Sequence, residues 1–419
     1  MRYLYTFLFY LVLPFVFLRL LWRSRHNSLY RQRFAERLGF YSKQLDPCIW
    51  VHAVSLGETI AAIPLIKALK KKYPEFSILV TNMTITGSKR VKEVFGESVY
   101  NSYIPYDLPD MNARFLKKIK PKILIVMETE LWPNLFAACK KRNIPIIVTN
   151  ARLSEKSAKK YRKIIPLMHE IFSAITTLSA QGETDAERFI ALGLPKNRVH
   201  VTGSLKFDLD LPAETIIKGE NLRKLLGEDR MIWIAASTHP GEDEMILAAH
   251  QLIREKIPQA LLILVPRHPE RFDQVAALLI EKGFMLARRS KQEPCPENIA
   301  IYLGDTMGEM MVMYSACDVA FVAGSFVAVG GHNVIEPAAL HKPVITGPYL
   351  FNFAEITDGL LKAKGMVKVE NSNELARSVL KFFEDADYRK KTGENAYAVV
   401  EKNRGALKRQ LDLINVSIV

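Results

Sequence analysis

The chain has 419 residues, enough for two domains of ordinary size, and its 49% apolar and 24% charged content is that of a globular protein, not a disordered or collagen-like one. A formal net charge of +14 points to an anionic partner: nucleic acid, an acidic membrane surface or a phosphorylated substrate. The four cysteines, Cys48, Cys139, Cys295 and Cys317, form no C-x-x-C pair, which argues against a zinc or thioredoxin-like site and for buried free thiols in a reducing compartment.

The first element, "YLYTFLFYLVLPFVFLRLLW" at 3–22, is almost wholly apolar and is interrupted by Pro14 and Arg19. A full bilayer span takes about 20 such residues, so this is either a marginal spanning helix or one embedded in a single leaflet. Arg23, Arg25, Arg31, Arg33 and Arg37 follow it; the positive-inside tendency then keeps the body cytoplasmic. A cleaved signal peptide fits less well, because the basic cluster lies after the apolar run and no small-residue cleavage site follows.

Beyond the anchor, continuous apolar runs alternate with helical patterns. "CIWVHAV", "FSILVTN", "KILIVME", "IPIIVTN", "AITTLSA" and "RVHVTGS" read as strands, the pattern weakens over 207–229, and "MIWIAAS", "ALLILVP", "IAIYLGD", "DVAFVAG" and "KPVITGP" resume it. Unbroken apolar strands separated by helices imply parallel sheets covered on both faces. The expected architecture is α/β: two Rossmann-like, doubly wound domains facing a central cleft. The expected boundaries are an anchor and basic segment at 1–35, a first domain at 36–208, a hinge at 209–229 and a second domain at 230–385. A helical segment at 386–419 is expected to pack back on the first domain.

Ligands of open α/β sheets bind beyond the carboxyl ends of the strands. In the first half these ends carry "SLGE" (55–58), "ETELWPN" (128–134), "NAR" (150–152) and "SLKFD" (204–208). In the second they carry "STHPGE" (237–242), "PRHPER" (266–271), "GDTMGE" (304–309) and "GSFVAVGGHNVIE" (324–336). The first rim is rich in carboxylates, the second in Gly, Ser/Thr, Arg and His, a composition suited to a phosphate and a sugar. Neither G-x-G-x-x-G nor G-x-x-x-x-G-K-[ST] occurs, which disfavours a dinucleotide oxidoreductase and a P-loop enzyme.

In "GGHNVIEPA" the glycines let backbone amides approach a ligand, and Asn333 with Glu336 has capping-box spacing. The helix start would offer free N–H groups to a phosphate, and the carboxylate would accept ribose hydroxyls. The same residues also make an ordinary glycine turn and cap. Ser55 and Glu58 share this dual reading. As a base, Glu58 faces an objection: a helix N-terminus lowers its pKa, so burial or nearby carboxylates such as Glu128 and Glu130 must raise it again. Those two could instead bind an acceptor. Asp208 and Asp210 form a D-x-D of the kind that holds metals, but in the expected hinge, and no metal is expected there. His52, among apolar strand residues, reads as a structural histidine; His268, beside Arg267 at a strand end, reads as a phosphate contact.

"VSLGE", "METELWPN", "SLKFD", "PRHPER", "GDTMGEM" and "GGHNVIEPA", in that order and behind an N-terminal anchor, resemble the 3-deoxy-D-manno-octulosonic acid (Kdo) transferases of lipopolysaccharide synthesis over essentially the whole chain. Val334 and Ile335 stand where that family usually has Pro-Leu. The resemblance implies a GT-B fold and metal-independent, inverting transfer of Kdo from CMP-Kdo to a tetra-acylated lipid A precursor. It places the protein on the cytoplasmic face of a bacterial inner membrane, on anionic lipid, with no nucleic-acid partner and no cofactor beyond the sugar nucleotide. It makes Glu58 the general base, with Glu128 and Lys206 stabilising the transition state. CMP would contact Arg267 and His268, then Met307, Gly308 and Glu309, then Asn333, Val334, Ile335 and Glu336. The alternative is another nucleotide-sugar transferase, or a nucleotide-sugar 2-epimerase, of the same architecture.

Overall fold

The computed structural model describes residues 1–26, 33–45, 47–209 and 211–418; Arg31 of the basic cluster and Asp210 of the D-x-D pair lie outside them. The chain forms two compact units, Met1–Asp208 with Arg404–Val419, and Leu209–Asn403.

The first unit is built on strands β1 (Cys48–His52), β2 (Ser77–Asn82), β3 (Tyr100–Tyr103), β4 (Pro121–Met127), β5 (Ile146–Ala151), β6 (Thr177–Ala180) and β7 (Val199–Val201). They form one seven-stranded sheet in the order β3-β2-β1-β4-β5-β6-β7, and every pairing is parallel. Alternate side chains enter two cores. Trp50, Leu79, Leu124, Val126 and Val148 lie on one face; Ile49, Val51, Val80, Ile125 and Ile147 lie on the other. Burial on both faces is the reason these strands are apolar throughout.

The second unit repeats the plan with β8 (Ile232–Thr238), β9 (Leu261–Pro266), β10 (Leu286–Arg288), β11 (Ile301–Leu303), β12 (Val319–Val322), β13 (Val344–Thr346) and β14 (Met366–Lys368), ordered β10-β11-β9-β8-β12-β13-β14. Its pairings are also parallel, and its two cores centre on Trp233, Leu262 and Phe321 and on Ile234, Ile263 and Ala320. β3, β10 and β14 were not expected from sequence. All three are sheet edges, where a short strand needs no continuous apolar run.

Two expected boundaries are revised. The 209–229 stretch is largely a helix, Ala213–Leu226, which packs in the second unit against Met310–Ala316; a Cβ on Gly219 would stand 2.3 Å from that of Ser315. Its polar composition is that of an amphipathic helix burying Leu222 and Leu226. The 386–419 segment divides. Ala386–Asn403 stays with the second unit and Ala406–Ile418 packs on the first, where Ala406 and Ile414 join the core around Val51 and Thr149 donates to Gln410 at 2.5 Å.

The apolar N-terminal helix, Arg2–His26, is long and apolar enough to cross a membrane. One side of it lies on the first unit: Phe9, Leu13, Val16 and Phe17 pack on Tyr106, Leu108 and Met111, Thr6 donates to Asn134 at 3.0 Å, and Tyr10 donates to Asp110 at 2.7 Å. The opposite side exposes Tyr3 (80%), Phe7, Leu11, Phe15 (69%) and Leu18.

Candidate active site

In the first unit, β5 and the loops after β1, β4 and β7 carry the polar groups. Ser55 caps the helix Leu56–Lys72, its Oγ accepting the Glu58 amide at 3.3 Å. The Glu58 carboxylate turns back and accepts from the Val54 amide at 2.7 Å and from Ser55 Oγ at 2.8 Å. It is only 8% exposed. Burial raises its pKa to about 7, with smaller upward pushes from Glu130 and Glu128 against the lowering by its two hydrogen bonds. The objection raised by the helix N-terminus is thus answered mainly by desolvation.

Glu128 follows β4 with a φ of 56°, a left-handed conformation that is uncommon for a residue other than glycine and typical of functional turns. Glu130 accepts from Trp132 Nε1 at 2.9 Å, and burial raises its pKa. Trp132 in turn meets the edge of His52 at 5.2 Å. Burial pushes the His52 pKa down to about 4, which fits a neutral core histidine. Lys206 sits on the single turn Leu205–Phe207. That turn is held by Asn150, whose Oδ1 accepts the Leu205 amide at 3.1 Å and whose backbone is also left-handed, with a φ of 54°.

Asp208 has a structural task. Its two oxygens accept the amides of Gly405 at 2.6 Å and Leu407 at 2.5 Å, capping the helix Ala406–Ile418. Among the described residues no group of three or more His, Cys, Asp or Glu side chains is arranged to hold a metal ion.

In the second unit, the loops after the adjacent strands β11, β9, β8 and β12 form the rim. His239 and His332 lie with near-parallel ring planes, centroids 5.0 Å apart and Nε2 atoms at 2.8 Å, and His268 meets His239 edge-on at 5.3 Å. Burial lowers the His332 pKa to about 4, helped by His239, Arg267 and His268. Burial also lowers that of His239, helped by His268, Arg271 and Arg267. Arg267 and His268 are exposed at the end of β9. Arg271 is committed elsewhere: it pairs with the buried Asp243 and donates to the Thr238 carbonyl at 2.7 Å.

Glu336 is held by Asn333 Nδ2 at 3.0 Å, while Asn333 Oδ1 accepts the Ile335 amide at 3.1 Å. Burial raises the Glu336 pKa, and Arg267 offsets part of that. The expected helix is brief, Ile335–Ala339, and Val334 and Ile335 are buried. Gly330 and Gly331 have φ of 104° and 80°; a Cβ on Gly330 would lie 2.4 Å from Phe351. Met307 and Gly308 are exposed after β11. Glu309 is gripped by Arg289 at 2.7 and 3.0 Å and by Thr306, so its carboxylate serves the loop's shape.

Sequence reading missed two organising groups. Glu242 is fully buried and accepts four amides: His239 at 3.0 Å, Gly324 at 2.7 Å, Ser325 at 3.0 Å and Phe326 at 2.9 Å. The second is His332, which meets His239 from 93 positions away. Glu242 had a local signal, three residues after His239 in capping-box spacing; the histidine pair had none.

Two parallel sheets whose carboxyl edges carry these loops define a GT-B glycosyltransferase architecture. The fold matches a glycosyltransferase from Rickettsia africae (TM-score 0.56, 17% identity, 90% of this chain and 99% of that one) and a UDP-GlcNAc 2-epimerase from Neisseria meningitidis (TM-score 0.57, 15% identity, 88% and 99%). Residues 229–399 match the model of group 1 glycosyl transferases, and 32–209 match that of 3-deoxy-D-manno-octulosonic-acid transferase. The chain is 46% identical to the 3-deoxy-D-manno-octulosonic acid transferase of Haemophilus influenzae over 99% of its own length and 98% of that protein, and 37% identical to that of Bordetella pertussis over 87% and 86%. The chain belongs to the 3-deoxy-D-manno-octulosonic acid transferase family.

Proposed function

We propose that the protein transfers Kdo from CMP-Kdo to the tetra-acylated lipid A precursor, with inversion and without a metal, at the cytoplasmic leaflet of the inner membrane. The observation that carries the catalytic part is Glu58: a buried carboxylate with a pKa raised to about 7 at the carboxyl edge of the first sheet, in a chain 46% identical to a Kdo transferase.

In this reading Glu58 takes the proton of the acceptor hydroxyl as its oxygen attacks the anomeric carbon from the face opposite CMP. The bond from that carbon to the phosphate oxygen breaks, and CMP departs as a phosphate monoester. Such a leaving group needs no general acid, so one carboxylate suffices where a glycosidase uses two. Glu128 and Lys206 stabilise charge in the transition state. Charge on the departing phosphate is met by Arg267 and His268, while Met307 to Glu309 and Asn333 to Glu336 surround the cytidine and ribose. The first unit, from 36 to 208, holds the acceptor and the second, from 230 to 385, the donor. The exposed apolar side of the N-terminal helix and the basic residues after it suit an anionic membrane surface.

The test is mass spectrometry of the lipid formed from CMP-Kdo and the lipid A precursor, with anomeric configuration read by NMR. Addition of Kdo with inversion and release of CMP is expected. Release of UDP from a donor panel, or conversion of a sugar nucleotide without transfer, would replace this reading with the epimerase or another transferase.

A further inference from the structure

We infer that the first unit binds a phosphate of its lipid acceptor in a pocket walled by the N-terminal helix, with Arg19 and Arg37 as the phosphate ligands. This rests on the reading of the protein as a transferase to a phosphorylated glycolipid.

The pocket has a volume of about 440 Å³ and is lined by Arg19, Leu20, Arg37, Met83, Ile85 and Tyr106 among others, within the ordinary size of small-molecule sites. The helix supplies Val16 and Leu20 to its walls, and the stretch after β2 supplies Met83 and Ile85 with the hydroxyl-bearing Thr84 and Thr86; the charged groups in its lining are both arginines. Arg37 is 6% exposed. One Nη donates to the Met83 carbonyl at 2.9 Å, and its guanidinium lies 4.1 Å from the centre of the Tyr103 ring. Glu36, the carboxylate beside it in the chain, is engaged by Arg33 at 2.8 Å, by the Tyr103 amide at 2.8 Å and by Ser102 at 3.1 Å. Among the described residues no carboxylate pairs with Arg37. A buried guanidinium without a counter-charge is costly, and a phosphate entering the pocket supplies one through charge-assisted hydrogen bonds.

Arg19 is exposed in the protein, but its place on the helix gives it a need of its own. It interrupts an otherwise apolar helix, where a charge is expensive in lipid. Because the helix lies along the unit by Phe9, Leu13, Val16 and Phe17, Arg19 faces the same pocket as Arg37. The pocket also adjoins Glu58. The amides of Met83 and Thr84 both donate to the Val54 carbonyl, at 3.0 and 3.1 Å, and the Val54 amide donates to Glu58. An amphiphile whose acyl chains stay in the bilayer along the exposed side of the helix would thus bring its sugar phosphate to this pocket and its hydroxyl towards Glu58.

The test is equilibrium binding of the full-length protein in mixed micelles to the bis-phosphorylated glycolipid and to its phosphate-free counterpart. Arg19→Gln, Arg37→Gln and Arg37→Lys are compared with the unmodified chain, and CMP affinity serves as a folding control. The phosphorylated lipid should bind the unmodified protein at least about tenfold more tightly than the phosphate-free one. Arg19→Gln and Arg37→Gln should erase that preference, Arg37→Lys should keep part of it, and the phosphate-free lipid should respond to none of them. Equal affinity for the two lipids, or equal losses on both, would overturn the site. Should Arg37→Gln fail to fold, Arg19→Gln, on an exposed helix position, decides alone. Displacement of the lipid by millimolar inorganic phosphate would reassign the pocket to free phosphate and overturn the lipid assignment. Binding needs no turnover, so a protein that held the phosphorylated lipid through these arginines but transferred no Kdo would refute the reaction and keep the pocket.

Discussion

His239 and His332 meet through their ring edges, with planes within 10° of each other and Nε2 atoms 2.8 Å apart. One nitrogen must donate and the other accept; because burial lowers the pKa of both rings, the pair is neutral at pH 7, with opposite tautomers at this contact.

Because the folded His332 takes up a proton only near pH 4 while its ordinary value is 6.5, the unfolded chain binds more protons between those limits. The second unit should therefore lose stability as pH falls from about 6.5 towards 4. His239→Ala should raise the His332 value without restoring 6.5, since burial is its larger cause. Histidine ring titration by NMR, with thermal melts at pH 4.5 and 7.5, reads both effects; a His332 titrating at its ordinary value in the intact protein would refute the hydrogen-bonded neutral pair.

Glu58, the general base of the proposed mechanism, gives a kinetic prediction. A base with a pKa of about 7 is active when deprotonated, so kcat/KM should rise with pH below about 7 and level off above it. Glu130→Gln removes the larger of the two neighbouring charges that raise this value and should move the limb to lower pH. Glu58→Ala should lower kcat by roughly 10²–10⁴-fold, the usual contribution of a general base, with CMP affinity retained. A pH profile unmoved by Glu130→Gln would show that the two carboxylates do not communicate. Stability carries the opposite sign: a raised carboxyl favours the fold below its ordinary value of 4.5 and loses that contribution as pH climbs through about 7, so Glu58→Gln should raise the melting temperature at pH 8 relative to the unmodified chain.

Glu242 organises the rim of the second sheet by accepting four amides. Replacing it by alanine leaves those buried donors without partners, at a cost of about 3–5 kcal/mol. Denaturant unfolding of Glu242→Ala should show a loss of that order, together with weaker CMP binding; an unchanged midpoint would mean that water replaces the carboxylate.

Asp208 separates two uses of one residue. As a helix cap its removal should cost about 1 kcal/mol and speed hydrogen exchange across 405–418, while activity stays insensitive to chelators. Chelator-sensitive transfer that is lost in Asp208→Ala would instead make it a metal ligand.

The sheets were legible because strands buried on both faces need unbroken apolar runs, as in "KILIVME" and "ALLILVP". The edge strand "YNSY" at Tyr100–Tyr103 was not, since an edge buries less and pairs through backbone groups that any residue supplies. The rims were legible as polar residues following apolar runs, which located Glu58, Arg267, His268 and Glu336. What sequence could not give was partnership. Glu309 and Arg271 carry chemistry-bearing side chains, yet Arg289 and Asp243 hold them. Arg37 read as one of a basic cluster and lies buried instead. Each of these depends on a residue far off in the chain that only folding brings near.

The hydrogen bond from the Gly405 amide to Asp208 joins the last residue before the second unit to a residue just after it. Residues 209–403 are therefore an insert in the chain of the first unit, entered and left at neighbouring points. A graft exchanging that insert for the corresponding unit of another chain would have both of its seams at a single bonded pair, and removal of the insert would ask only for a short splice between 208 and 405.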